Sequence, residues 1–316
     1  MPWNHQIRLN PPLIFIHRPA LDCRGRSKND PKRRPPMTSM PTVSTTSPSK
    51  PASECPMHRL SLPRLTAGGI AAFAYGVLAY GAFVLSFAYA IGFVGNWLVP
   101  KSIDSPDAST PLPMALTINA LLLSVFVVQH TVMARPAFKR WWTRVIPESI
   151  ERSTFVLLAS ASLGLVFWLW RPATGIVWEF TDPVAVWILS GVSLLGYALV
   201  FASSWMVSHF DLFGLRQVWY RLQERSYRPV GFRLVALYRF VRHPLMLGFL
   251  IAFWSTPTMT VGHLFFAIMV TAYIRFGTWM EERDLVAEHG EQYLAYRRAV
   301  PGIIPLPRVI RTETGS

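Results

Sequence analysis

Two groups of ionisable residues flank a long apolar stretch in the last third of the chain: Arg239, Arg242 and His243 before it, Glu281, Glu282 and Arg283 after it. Between them lie two apolar runs, Leu245 to Val261 and His263 to Met280, with the turn signals Pro257 and Gly262 at their junction. Each run is close to the roughly 20 residues that span hydrocarbon. An out-and-back crossing would therefore return both groups to one membrane face. Carboxylates there can accept hydrogen bonds from hydroxyl or ammonium groups, and arginine can bind a carboxylate in return. A histidine can move a proton near neutral pH. Pro244 suits the first helical position and so places His243 at the N-cap. A plainer account competes at each end: Glu281 and Glu282 as the polar cap of an emerging helix, and the basic trio as interfacial residues facing lipid phosphates.

Further residues fall at the same expected depth. Gln129 and His130 end a second apolar span, and His209 and Asp211 follow a fourth; the four could line a substrate cavity. Neither pair has a third ligand nearby in sequence, so no metal set is expected. No glycine-rich phosphate loop and no G-x-G-x-x-G fingerprint occurs, which excludes a Rossmann-type nucleotide site. After Glu282, the pattern Leu285, His289, Gly290, Tyr293, Tyr296 and Pro301 suggests a short amphipathic helix stopped near Gly290, then an aromatic cover or interfacial anchor.

These groups need a scaffold, and composition says which. With 51% hydrophobic and 15% charged residues among 316, the chain has more apolar surface than a soluble domain of this size covers. The expected fold is all-α: a polytopic membrane helical bundle of about five to six transmembrane helices with a C-terminal cytoplasmic cofactor-binding segment. Spans are expected at about Thr66–Trp97, Leu112–Met133, Thr154–Trp170 and Val184–Val207, with the two hairpin arms completing six. The loops near Lys139 and Arg225 are basic while those near Asp104 and Thr181 are not. That alternation predicts a cell-membrane protein with both termini and the active face cytoplasmic. Clustering of basic residues beside spans also accounts for the formal charge of +14, so nucleic acid is not an expected partner and the lipid bilayer is.

The organisation read from the sequence has four segments. Residues 1–56 form a basic Pro/Ser-rich extension expected to be disordered, and a start at Met57 would lose no visible structure. Residues 57–236 carry the first spans and basic loops, 237–305 the hairpin and its polar ends, and 306–316 a disordered tail. Cys23 and Cys55 are too few and too poorly placed for a disulfide framework.

As a set, Arg242-His243-Pro244, Glu281-Glu282, Leu285, Gly290, Tyr293, Tyr296 and Pro301 resemble the membrane methyltransferases of the isoprenylcysteine carboxyl methyltransferase and phospholipid methyltransferase superfamily. Within it the chain is similar to the methanethiol S-methyltransferases, through QHTVMARPAFKRWW from Gln129, ERSTFVLLAS from Glu151, SHFDLFGLRQVW from Ser208 and the stretch from Arg242 to Leu264. Met246 departs from the tyrosine usual in isoprenylcysteine enzymes. The resemblance covers about Met57 to Pro305, and it extends more distantly to NnrU-like proteins. It implies S-adenosyl-L-methionine held in a cytoplasm-facing pocket, with Arg242, His243, Glu281, Glu282 and Arg283 as cofactor-binding residues. It implies a small volatile thiol, methanethiol, as acceptor and dimethyl sulfide as product. His243 is the first candidate for the base, and Tyr293 or Tyr296 the second. An isoprenylcysteine carboxylate or lipid amine as acceptor, or a non-catalytic NnrU-like role, are the alternatives.

Overall fold

The computed structural model describes residues 65–106, 109–228 and 236–305, all within one compact unit. The extension 1–56 with its two cysteines and the tail 306–316 lie outside the described residues. In chain order the elements are α1 (Ala67–Gly95), α2 (Leu112–Ala134), α3 (Pro136–Trp142), α4 (Glu148–Leu169), β1 (Ile176–Glu179), α5 (Pro183–Val207), α6 (His209–Leu212) and α7 (Leu215–Leu222). A 3-10 turn (Ala236–Arg239), α8 (Pro244–Trp254), β2 (Thr258–Thr260), α9 (Val261–His289) and α10 (Glu291–Ala299) complete the chain. Among the described residues five helices are long and apolar enough to cross a membrane: α1, α2, α4, α5 and α9. The protein is a multi-pass, all-α membrane bundle.

The first hairpin arm differs from expectation. Instead of one helix to Val261, α8 has 11 residues, about 16 Å of helix against about 30 Å of hydrocarbon. The remainder is extended chain, because Ser255-Thr256-Pro257 breaks the helix and β2 then pairs antiparallel with β1, Thr258 opposite Glu179 and Thr260 opposite Ile176. Trp254 Nε1, at the end of α8, donates to Thr271 Oγ1 midway along α9 at 3.0 Å. The short helix therefore begins level with the end of α9 and closes against its first half, where Phe253 packs on Phe266 at 5.1 Å, and the extended segment leads the chain into the start of α9. Backbone groups freed at this depth are satisfied: Phe180 N donates to Pro257 O, Val261 N to Gly175 O and the His263 ring to Phe253 O.

Close packing holds α8 in place. A Cβ at Gly248 would lie 2.7 Å from Gly196 O and 2.9 Å from Val200 N, and one at Gly196 would lie 2.6 Å from Ala252 N. The α5 and α8 backbones thus touch through small residues, the device by which membrane helices gain contact when lipid is as apolar as they are. Ser193 Oγ donates to Ala252 O across the same seam at 2.8 Å. An aromatic core of Phe93, Phe167, Trp170, Tyr197, Phe253 and Phe266 joins α1, α4, α5, α8 and α9.

The elements sort the loops to two faces. At one, Asn96 and Thr260 both bond Asp104, Lys101 bonds Trp168 O, and Asn119 bonds Arg171 O. At the other stand α3, α6, α7, the start of α8 and the end of α9, with Arg135, Lys139, Arg140, Arg144, Arg216, Arg221 and Arg242.

Candidate functional site

The two ionisable groups meet at the basic face. Arg242 Nε and Nη2 donate to Glu282 Oε1 at 2.8 and 2.6 Å, and His243 Nε2 reaches the same oxygen at 3.1 Å. The third guanidinium nitrogen, Nη1, donates to the carbonyls of Arg297 and Val300 at 3.0 and 2.5 Å. Backbone bonds run in parallel, Arg242 N to Pro301 O and His243 N to Gly302 O, so the residues after α10 are laced to the start of α8. Arg242 is buried, its charge matched by Glu282 and four of its five N–H groups bonded, as a buried ion requires. A carboxylate only accepts, so the proton on Nε2 of His243 faces Glu282 and Nδ1 is the nitrogen left to exchange one. Nδ1 lies 3.6 Å from Glu281 Oε2.

Glu281 differs from its neighbour. At 100° per residue it shares a helix face with Ile274 and Thr278, which are 5% and 2% exposed and point into the bundle. Yet the Glu281 side chain is 52% exposed. An inward-facing carboxylate that is half exposed marks an opening between the helices at this level. Its walls are α9, His243 at the start of α8, and α2, whose following residue Arg135 pairs with Asp284 at 2.9 Å.

α9 runs unbroken through the segment expected to be a separate short helix, and ends where Gly290 turns the chain with φ 54°, a backbone sign that favours glycine. α10 then folds back, burying Tyr293 and Tyr296. Tyr296 Oη donates to Tyr238 O at 2.6 Å. Burial pushes both the Tyr293 and Tyr296 phenols up to about 12, so at neutral pH they carry their protons and serve as donors rather than bases. Arg283 stands apart from the cluster. One residue past Glu282 the helix has turned by 100°, and its guanidinium lies over the Trp279 ring at 5.1 Å instead.

The four residues expected to line one cavity fall in two places. His209 is buried with both nitrogens engaged, by Tyr80 Oη and Ser204 Oγ at 2.9 Å each, and its ring stacks on Trp205. Asp211 accepts from Tyr227 Oη at 2.7 Å and faces Arg216. Both bind the α6–α7 corner together, His209 with its two ring nitrogens taken. Gln129 and His130 sit instead between α2, α4 and α9. The His130 ring is 4.9 Å from Phe155 and 6.3 Å from Tyr273, and neither Gln129 Oε1 nor His130 Nδ1 has a hydrogen-bond partner among the described residues. Among the described residues no group of three metal-ligating side chains occurs.

The chain is 53% identical to methanethiol S-methyltransferase 2 of Bradyrhizobium diazoefficiens over 73% of its own length and 88% of that protein. It is 51% identical to the methanethiol S-methyltransferase of Mycobacterium tuberculosis, over 74% of this chain and 95% of the other. It belongs to the methanethiol S-methyltransferase family. More distantly, it is 28% identical to Nurim from Bos taurus over 57% of this chain and 70% of the other. No family model matches the chain, and no solved structure matches it.

A methanethiol S-methyltransferase relative needs a place for a methyl donor, and the opening at Glu281 has the matching chemistry. It offers one half-exposed carboxylate, a histidine beside it and, across the gap, Arg135, whose buried Nε has no partner among the described residues. Arg135 is the residue that sequence reasoning missed: it was visible only as one basic residue of the ARPAFKRWW loop. Its pairing with Asp284, 149 positions away, is a tertiary fact with no local signal.

Proposed function

We propose that the protein transfers the methyl group of S-adenosyl-L-methionine to the sulfur of methanethiol, forming dimethyl sulfide, at the opening around Glu281. The observation that carries this reading is an inward-facing, half-exposed carboxylate beside the Arg242–Glu282–His243 cluster, in a chain of this family. When bound, the cofactor supplies a methyl group activated on a sulfonium. Glu281 accepts hydrogen bonds from its ammonium or ribose hydroxyl groups. Arg135 answers its carboxylate, a role for which Arg242 is less free, since four of its five N–H groups serve Glu282 and the carbonyls of Arg297 and Val300. Arg242, Glu282 and His243 position Glu281 and the covering segment, and Tyr293 and Tyr296 close that segment over the site. The remaining chemistry is in-line displacement at carbon, which requires placement and a dry site more than covalent help.

The basic face is assigned to the cytoplasm and the bilayer to the cell membrane. Lys101 and Arg171 are the lysine and arginine residues of the opposite face among the described residues, against the many at the site's face. The test uses the full chain purified in detergent. Calorimetry with S-adenosyl-L-methionine and headspace detection of dimethyl sulfide are expected to give binding and turnover, and Glu281→Gln to weaken donor binding by about 1 to 3 kcal/mol. Donor binding without product from methanethiol, but with product from an isoprenylcysteine or lipid amine, would refute the acceptor. An absence of donor binding would refute the methyltransferase reading.

A further inference from the structure

We propose that His130 takes the proton of the acceptor thiol, and that the thiol reaches it from the bilayer along an apolar groove between α2 and α9. The proposal rests on the methyl-transfer reading above and adds to it a base and a path.

The groove, about 270 Å³, is lined by Leu123, Phe126, Val127, Met269, Tyr273 and Phe276 among others. Its serine, Ser124, spends its hydroxyl on Ala120 O at 2.7 Å, so the wall offers an arriving molecule almost nothing but hydrocarbon. Two of its lining residues, Phe126 and Tyr273, lie against the His130 ring, with centroids 5.3 and 6.3 Å away. Behind them are two buried polar atoms without a partner among the described residues, Gln129 Oε1, an acceptor, and His130 Nδ1, an acceptor when the ring proton is on Nε2. The amide nitrogen of Gln129 is directed to Met133 Sδ at 3.2 Å, which leaves its oxygen facing the other way.

A buried acceptor left unmade costs stability, and native proteins retain few of them. Two adjacent ones at the end of an apolar groove define a ligand by elimination: an apolar body with one weak donor. An alkyl thiol has that form. Water satisfies the acceptors but has no affinity for the groove, and a charged amine would be stripped of water along it. Tyr273 precedes Glu281 by eight residues, about 12 Å along α9. A thiol arriving from lipid therefore meets His130 before it meets the polar opening.

An alkyl thiol with the acidity of cysteine has a pKa of about 8.5 and is mostly protonated at neutral pH. Nδ1 of His130 takes the S–H proton, and the sulfur pair so released forms the new S–C bond. The pair of the breaking C–S bond stays with the donor sulfur, and the proton leaves the imidazole for water at the basic face. His243 fits this role less well, with one nitrogen given to Glu282 and the other against Glu281. Among the described residues, the titratable or charged groups facing the His130 ring are Arg152 on α4 and Tyr273 on α9. Arg152 is itself held by Leu212 O at 2.7 Å.

His130→Phe, His130→Asn and His243→Ala are to be compared in the full chain, with S-adenosyl-L-methionine affinity by calorimetry and methanethiol turnover followed from neutral pH to about pH 10. Both His130 variants should bind the donor within about twofold of the parent and lose about a hundredfold in turnover at neutral pH. Their deficit should shrink as the thiol ionises by itself. Val127→Trp, which fills the groove, should raise the KM for methanethiol and leave donor affinity unchanged. A His130 deficit that is absent or independent of pH overturns the proposal, as does loss of donor binding in both His130 variants. A pH-rescued deficit in His243→Ala alone moves the base there. If the parent chain forms no dimethyl sulfide, the methyl-transfer reading itself fails.

Discussion

Replacing Arg242 with Met tests the claim that this residue is a structural clamp rather than a hand for the cofactor. The side chain makes two bonds to Glu282 and two to the carbonyls of Arg297 and Val300. Methionine fills much of the volume and none of that bonding. Removing one partner of a buried ion pair costs about 3 to 5 kcal/mol, because the other charge is left behind. Here Glu282 keeps His243 Nε2 as a partner and is 16% exposed, which puts the loss at the lower end, about 3 kcal/mol. The ties that remain on the covering segment include the backbone bonds to Pro301 and Gly302 and the Tyr296–Tyr238 bond. The loss should therefore appear as local opening of α10 rather than collapse of the bundle. At 1.4 kcal/mol per tenfold, 3 kcal/mol is roughly a hundredfold. Hydrogen exchange read by mass spectrometry should show amides of residues 291–300 exchanging about a hundredfold faster, with α1 and α4 unchanged. Arg242→Lys should fall between, since an ammonium cannot reproduce the fork. Protection of α10 equal to the parent's, with donor binding lost, would refute the clamp and make Arg242 a direct ligand.

Gly248→Ala drives a methyl group into the α5 backbone and should cost about 1 to 3 kcal/mol, read as a lower Tm in detergent; Gly164→Ala, inside α4 with nothing within 4 Å of its Cβ, should not lower Tm and should raise it slightly, alanine being the better helix former. The Tyr296 phenol is raised by burial to about 12 in the folded chain against 10.0 ordinarily, so the stability it supplies is complete below pH 10 and is lost as pH rises towards 12. Tyr296→Phe should accordingly flatten that part of the alkaline unfolding curve, and an unaltered curve would contradict the assignment. Single cysteines placed at Asp104 and Thr181 should react with an impermeant reagent in intact cells, whereas one at Lys139 should not; labelling at Lys139 would reverse the orientation.

Much of the fold was legible because hydrocarbon imposes one dominant pattern, a run of about 20 apolar residues. The four spans between Thr66 and Val207 follow it directly. The last span pair does not, because Leu245 to Val261 is apolar throughout whether it is helix or extended chain. Hydropathy cannot see that Ser255-Thr256-Pro257 ends the helix early, nor that β1 stands ready to pair with β2. The convergence of Arg242 and His243 with Glu282 was legible from charge at both ends of a hairpin. What separates the residues within it was not. Glu282 and Arg283 look alike as charges beside a span, and only the helix rotation turns one to α8 and the other to Trp279. His209 and His130 look alike as histidines ending spans. Partners contributed from elsewhere, Tyr80 and Ser204 for His209 and, among the described residues, none for His130 Nδ1, divide them into a structural residue and a candidate for chemistry.

Adjacent glutamates at the end of α9 have opposite circumstances, and that asymmetry is how a site and its clamp can share one turn of helix. Glu282 faces α8 and is neutralised there, so its energy goes into holding the chain between Arg242 and Gly302 in place. Glu281, rotated by 100°, has one side against His243 and the other towards the opening, where its charge is not cancelled by an arginine bonded to it. Were the two interchangeable, Glu282→Gln and Glu281→Gln would behave alike. On the geometry they cannot. Glu282→Gln trades a carboxylate for an amide beneath a buried guanidinium and should loosen α10, with donor affinity falling only as a consequence. Glu281→Gln should leave exchange in α10 as it was and lower donor affinity directly. Measured side by side, hydrogen exchange at 291–300 and calorimetric donor binding should separate the two variants, and equal effects on both readouts would dissolve the distinction between clamp and site.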